Sequence, residues 1–152
     1  MPVQIIKKLL LVLDASSPSK AAIDFALGLA KQIPCSLIAA FVIDTTMISD
    51  LLDMRVLIQE EMDDFIDDLE IQGDAILDDI KRRCEELGIE LDDALHCRGK
   101  LNLATLQAQK QYGADAIVIG GWKESCRHKD EASAARALVL DQATCPVFVI
   151  KD

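Results

Sequence analysis

The 152 residues are the size of one domain and enough to bury a core without disulfide or metal staples, so 1–152 reads as a single unit. Aromatic residues make up only 4% of the chain, and its net charge of −10 argues against nucleic acid, whose phosphates select basic surfaces. No apolar run reaches the ~18 residues that a membrane-spanning helix needs, so no membrane partner is expected.

The first element, Ile5–Leu13, carries a continuous apolar run after two lysines and reads as a strand buried on both faces. Its run Leu9–Leu13 ends in Asp14 with no small-residue cleavage site behind it. It is therefore not read as an export signal, and a cytoplasmic location is expected. In Asp14-Ala15-Ser16-Ser17-Pro18-Ser19, a serine N-cap ahead of Pro18 opens a helix to about Gln32, with Ile23, Leu27 and Ala30 on its apolar side. Pro34 ends it, and Cys35–Ile43 is a second buried strand.

From Met47 to Leu87 the pattern is helical. Ile58, Met62, Phe65, Leu69, Gly73, Ile76, Ile80, Cys84 and Leu87 step by threes and fours along one stripe. The helix start within 46–57 is left open by the pattern. Gly73 on the stripe either permits close packing or marks a bend, and Gly88 is a C-cap. Nearly all the acidity lies in this part: 44–87 holds 15 Asp/Glu against 4 Lys/Arg, and the remainder 11 against 12.

Ile89–Cys97 alternates imperfectly and predicts a third strand near the sheet edge. Leu101–Tyr112 is a helix closed by Gly113, and Ala114–Gly120 is a strongly buried fourth strand. The polar loop GWKESCRHKDE then leads to a helix from about Ala132 to Gln142, and Pro146–Ile150 is a short last strand. Buried strands alternating with helices imply an α/β fold: an open, mainly parallel sheet with right-handed crossovers and helices on both faces. Ligands in such sheets bind beyond the carboxyl ends of the strands. That points to Asp14, to Val42-Ile43-Asp44 and to Gly120 onward.

Three stretches carry a family resemblance. KKLLLVLDASSPSKAAIDFALGLAK, FVID at the end of the second strand, and ADAIVIGG followed by a helix and ATCPVFVI resemble the universal stress proteins in order and spacing. The likeness covers about 5–43 and 89–151; the acidic helix between fits only loosely. The resemblance implies five strands in the order 3-2-1-4-5, as in the adenine-nucleotide alpha-hydrolase-like folds. It also implies an adenine-nucleotide motif, G-x2-G-x9-G-[ST], starting at the end of the fourth strand. Glycines there let backbone N–H groups approach phosphates, and the next helix N-terminus adds partial positive charge.

In this chain the first glycine is Gly120, the second position is Lys123, and the closing pair is Ser133-Ala134. The spacing to Cys145-Pro146 needs no gap, so these are substitutions. Two of three glycines are gone, and each replacement adds a Cβ where main chain would line phosphate. The other half of the site is kept: the resemblance assigns Asp14 to the adenosine side and the backbone of Val42 to adenine. Both also have ordinary roles, as a helix-capping Asp and a core Val.

The remaining chemical candidates read as structural. In Trp122–Lys129, the cations Lys123, Arg127, His128 and Lys129 are offset by Glu124, Asp130 and Glu131, which favours a solvated loop over an anion clamp. Cys126 and His128 lack a third orienting group for catalysis. His96 is structural, and two histidines in all make a metal site improbable. Five widely spaced cysteines without C-x-x-C indicate neither a disulfide framework nor zinc, but small core residues. The pairs Asp63/Asp67 and Asp64/Asp68 make a solvated helix face able to select a basic protein partner.

The expected protein is thus a non-enzymatic stress-response or regulatory protein acting by binding, with weak or no ATP or AMP binding and no cofactor or metal. A nucleotide-binding member using Asp14, Val42, Gly120 and Ser133 is the alternative, and a docking module built on the acidic helix is a second. The short apolar strand Val147–Ile150 is expected to pair with its copy in a homodimer, since unpaired edges invite another strand and similar family members dimerise through it.

Overall fold

Apolar runs with no wet face must be covered on both sides, and in the computed structural model they become the inner strands of one sheet. Residues 5–15, 18–55, 58–122 and 131–151 are described, with backbone alone at 47, 48, 50, 51, 121, 122 and 131–133. The elements in chain order are β1 (Lys8–Asp14), α1 (Lys20–Gln32), β2 (Ser36–Ile43), α2 (Thr45–Asp53), α3 (Gln59–Leu87), β3 (Leu91–Arg98), α4 (Leu101–Tyr112), β4 (Ala116–Trp122), α5 (Glu131–Gln142) and β5 (Val147–Lys151). The strands form a single sheet in the order β3-β2-β1-β4-β5, and every pairing is parallel.

The side-chain alternation of a strand divides the core in two. Leu9, Leu11 and Leu13 face one layer with Phe41, Leu27, Leu77 and Ile80. Leu10 and Val12 face the other, with Ala40, Val42, Leu101 and Val139. Helices α1 and α3 cover the first face, α4 and α5 the second. Each fully buried Leu or Ile in these layers contributes roughly 1.5–3 kcal/mol through apolar burial.

Several boundaries move from their sequence positions. Strand β1 starts at Lys8 rather than Ile5, because the Asp115 carboxylate accepts the amides of Lys7 and Lys8 at 2.9 and 3.0 Å. The cap of α1 is Ser19, after Pro18 and not before it; Ser19 Oγ accepts the Ala22 amide at 3.0 Å. The helix whose start the pattern leaves open within 46–57 begins at Gln59, and a separate helix, α2, precedes it, with Arg55 beyond the end of α2 in the left-handed region at φ 60°. Strand β4 runs Ala116–Trp122, two residues later at both ends than expected, and Trp122 pairs with Lys151.

Gly88 and Gly113 close α3 and α4 in left-handed conformation, as their positions implied. The role of Gly73 is close packing. A Cβ there would lie 2.6 Å from Phe41 Cδ1 and 2.9 Å from His96 Cε1. Next to it, Asp74 Oδ1 lies 2.7 Å from His96 Nε2, and Glu70 pairs with Arg98. His96 is thus a structural tie between β3 and α3, as the sequence suggested.

Candidate functional site

The sheet order reverses direction between β1 and β4, and the crevice beyond their carboxyl ends is the expected ligand position for an open α/β sheet. Asp14 ends β1 and lies opposite Val42 in the register with β2. The Val42 side chain is fully buried, and its carbonyl accepts the Ala15 amide at 2.9 Å. Asp44 stands just past β2; its carboxylate takes the Thr46 amide at 3.1 Å and the Leu101 amide at 3.4 Å, joining the starts of α2 and α4. Gly99, at φ 122°, donates its N–H to the Ile43 carbonyl at 3.2 Å.

Gly120 belongs to the same rim, on the face toward α1. A Cβ at this position would come 2.5 Å from both Cβ and Oγ of Ser19 and 2.7 Å from the Ala22 Cβ. The glycine therefore lets β4 lie against the first turn of α1. Of the other motif positions, Lys123 is outside the described residues. Ser133 is described by backbone alone within α5, and Ala134 is exposed on that helix. The stretch 123–130, with Cys126 and His128, also lies outside them.

The structure adds one residue that the sequence reading missed. Arg136 of α5 approaches the end of β1, and its Nη2 lies 3.0 Å from Asp14 Oδ2. Both are buried: Arg136 is 2% exposed and Asp14 8%. Arg136 Nε meets no hydrogen-bond acceptor among the described residues. Asp14 follows Leu10 and Val12 by strand alternation onto the α4/α5 face, which is why a residue of α5 can reach it. A sequence signal existed. Arg136 stands three residues before the buried Val139, so a charge occupies the inward stripe of a helix that otherwise reads ARALVL.

The described thiols are shifted toward their protonated form. Burial raises the pKa of Cys35, Cys84, Cys97 and Cys145, keeping them protonated and poorly nucleophilic at neutral pH. Among the described residues no group of three His, Cys, Asp or Glu side chains is placed to hold a metal ion, and no helix is long and apolar enough to cross a membrane. A cleft of about 450 Å³ lined by Lys7, Lys31, Cys35, Ser36 and Glu90 opens at the opposite, amino end of the strands, away from the motif residues.

Comparison with known proteins agrees with this architecture. The universal stress protein YxiE of Bacillus subtilis (strain 168) is 24% identical over 146 residues, 95% of this chain and 98% of that protein. A universal stress protein family structure from Burkholderia pseudomallei shares 23% identity with a TM-score of 0.69, covering 98% of each chain. One from Arabidopsis thaliana with AMP bound shares 19% identity with a TM-score of 0.63, covering 95% of this chain and 91% of its own. The Universal stress protein family matches residues 6–151, nearly the whole sequence. With the five-stranded parallel sheet in the order 3-2-1-4-5, that match makes this chain a member of the universal stress protein family.

Proposed function

We propose that this chain is a regulatory member of its family that acts by binding other molecules rather than by catalysis, with weak or no affinity for adenine nucleotides. The observation that carries this reading is the packing of Gly120. It is the one glycine of the phosphate motif that this sequence keeps, and its contact with Ser19 and Ala22 requires a glycine whether or not phosphate ever arrives. Lys123 and Ser133 stand at the motif's other two glycine positions and Ala134 at its hydroxyl position, and a Cβ at either glycine position disfavours a main-chain phosphate cradle. The AMP-bound relative has the same fold, which makes nucleotide binding the reading to test against.

The test is thermal denaturation with ATP or AMP, together with analysis of any nucleotide released from purified protein. A ligand that binds only the native state at 100 times its Kd adds about 2.7 kcal/mol, several degrees for a domain of this size. We expect no shift at millimolar nucleotide and none co-purified. We expect Lys123→Gly/Ser133→Gly to gain a shift, because that change returns main chain to the phosphate positions.

Two assembly contacts accompany this proposal. Strand β5 lies at the sheet edge with Val147–Ile150 only half-buried, and Phe148 packs 5.5 Å from the partly exposed Phe25. A second copy pairing along β5 would cover this edge, and light scattering at micromolar concentration should give a dimer mass. Docking of a basic protein on α3 is favoured by the charge along its first half. Residues 59–74 hold eight acidic and no basic side chains, and Glu60, Glu61, Asp64 and Asp68 form no ion pair among the described residues. A cytoplasmic setting fits both contacts.

A further inference from the structure

The buried pair at the switch point has a meaning beyond stability. We infer that Arg136 is an internal occupant of the nucleotide crevice, and that it lowers the affinity of this chain for adenosine in addition to the effect of the substituted phosphate loop. The inference rests on the proposed weak nucleotide binding and assigns a second, separate cause for it.

Asp14 is the carboxylate that ends the strand beside the switch point, and the fold resemblance places adenosine against it. Its Oδ2 is engaged by Arg136 Nη2 at 3.0 Å. The guanidinium is 2% exposed, so it occupies the interior rather than lying over the surface. A ligand seated against Asp14 must first break this pair and find a new place for a planar cation with five donors. Displacement would take the buried Arg136 cation away from its carboxylate, which is unfavourable. The bound state is then reached only from a minor population in which Arg136 has withdrawn, and apparent affinity falls by that fraction. Arg136 thus sets specificity: the crevice rejects a neutral nucleoside edge because a cation of the chain already holds the acceptor.

The test is calorimetric titration of adenosine and of AMP into wild type, Arg136→Ala, Arg136→Lys and Asp14→Asn/Arg136→Ala, with circular dichroism to verify folding. Adenosine has no phosphate, so its binding reports this end of the crevice alone. We expect no binding to wild type, at least a tenfold gain in adenosine affinity for Arg136→Ala, and loss of that gain in the double variant. Lysine keeps a charge but loses the fork and much of the volume, so Arg136→Lys should show a smaller gain. It serves as the deciding variant if Arg136→Ala does not fold. Folded Arg136→Ala or Arg136→Lys with no gain overturns the inference while leaving the phosphate-loop reading intact. Tight binding of AMP by wild type overturns both.

Discussion

Gly120 and Ser19 lie in such close contact that a single Cβ on the glycine would approach the serine Oγ to 2.5 Å. The serine is also the cap of α1 and is buried, so it has little room to retreat. Gly120→Ala should therefore destabilise the ligand-free protein by about 1–3 kcal/mol, the usual cost of overpacking. A drop of several degrees in Tm without nucleotide is expected. An unchanged Tm would mean that the glycine is not needed for packing.

The Asp14–Arg136 pair should show the asymmetry of buried ions. Removing Arg136 takes away one partner of the buried carboxylate and leaves a cavity, so Arg136→Ala should lower urea-unfolding stability by roughly 2–5 kcal/mol. Replacing both partners with apolar groups of similar size, Asp14→Leu/Arg136→Met, should recover most of that loss. Additive losses in the double variant would show that the two side chains do not depend on each other.

Gly73 sets a second close approach. Alanine is favoured over glycine inside a helix by about 1 kcal/mol, yet at this position its Cβ would meet the buried Phe41 ring at 2.6 Å. The clash should outweigh the propensity gain. Gly73→Ala is expected to be less stable than wild type, with an altered near-ultraviolet signal from Phe41.

The buried thiol of Cys84 and the half-buried thiols of Cys35, Cys97 and Cys145 predict a pH dependence of stability. Burial raises the pKa of Cys35, Cys84, Cys97 and Cys145 above the ordinary value of 9.0, so the native state retains protons that the unfolded chain releases. Their contribution is complete below that value and is lost as pH rises through it toward the higher native pKa values. Tm should be flat in this respect from pH 7 to 8 and fall above pH 9.0. Cys84→Ala should start lower, for its cavity, and fall less steeply.

The fold was readable because its strands are buried on both faces. Runs such as LLLVL and IAAFVI leave few options besides a helix-covered parallel sheet, and the alternation with helices sets its class. What the pattern obscured was chain direction at breaks. The apolar stripe starts only at Ile58, so the spacing leaves open how the chain before it is arranged and does not distinguish the separate helix α2 from α3. The positions of Asp14, Val42 and Gly120 at or near strand ends were legible from the pattern. Arg136 was not, since its partner is 122 residues away in sequence and only the fold brings α5 over Asp14. A charge on the inward stripe was the available sign.

The most direct measurement is a calorimetric titration of wild-type protein with ATP and with AMP to about 2 mM, where a Kd near 20 µM would correspond to the hundredfold excess that stabilises by roughly 2.7 kcal/mol. We expect dilution heats alone. Saturable binding with one nucleotide per chain, abolished by a change at Asp14, would contradict the proposal that the crevice of this protein no longer holds adenine nucleotides.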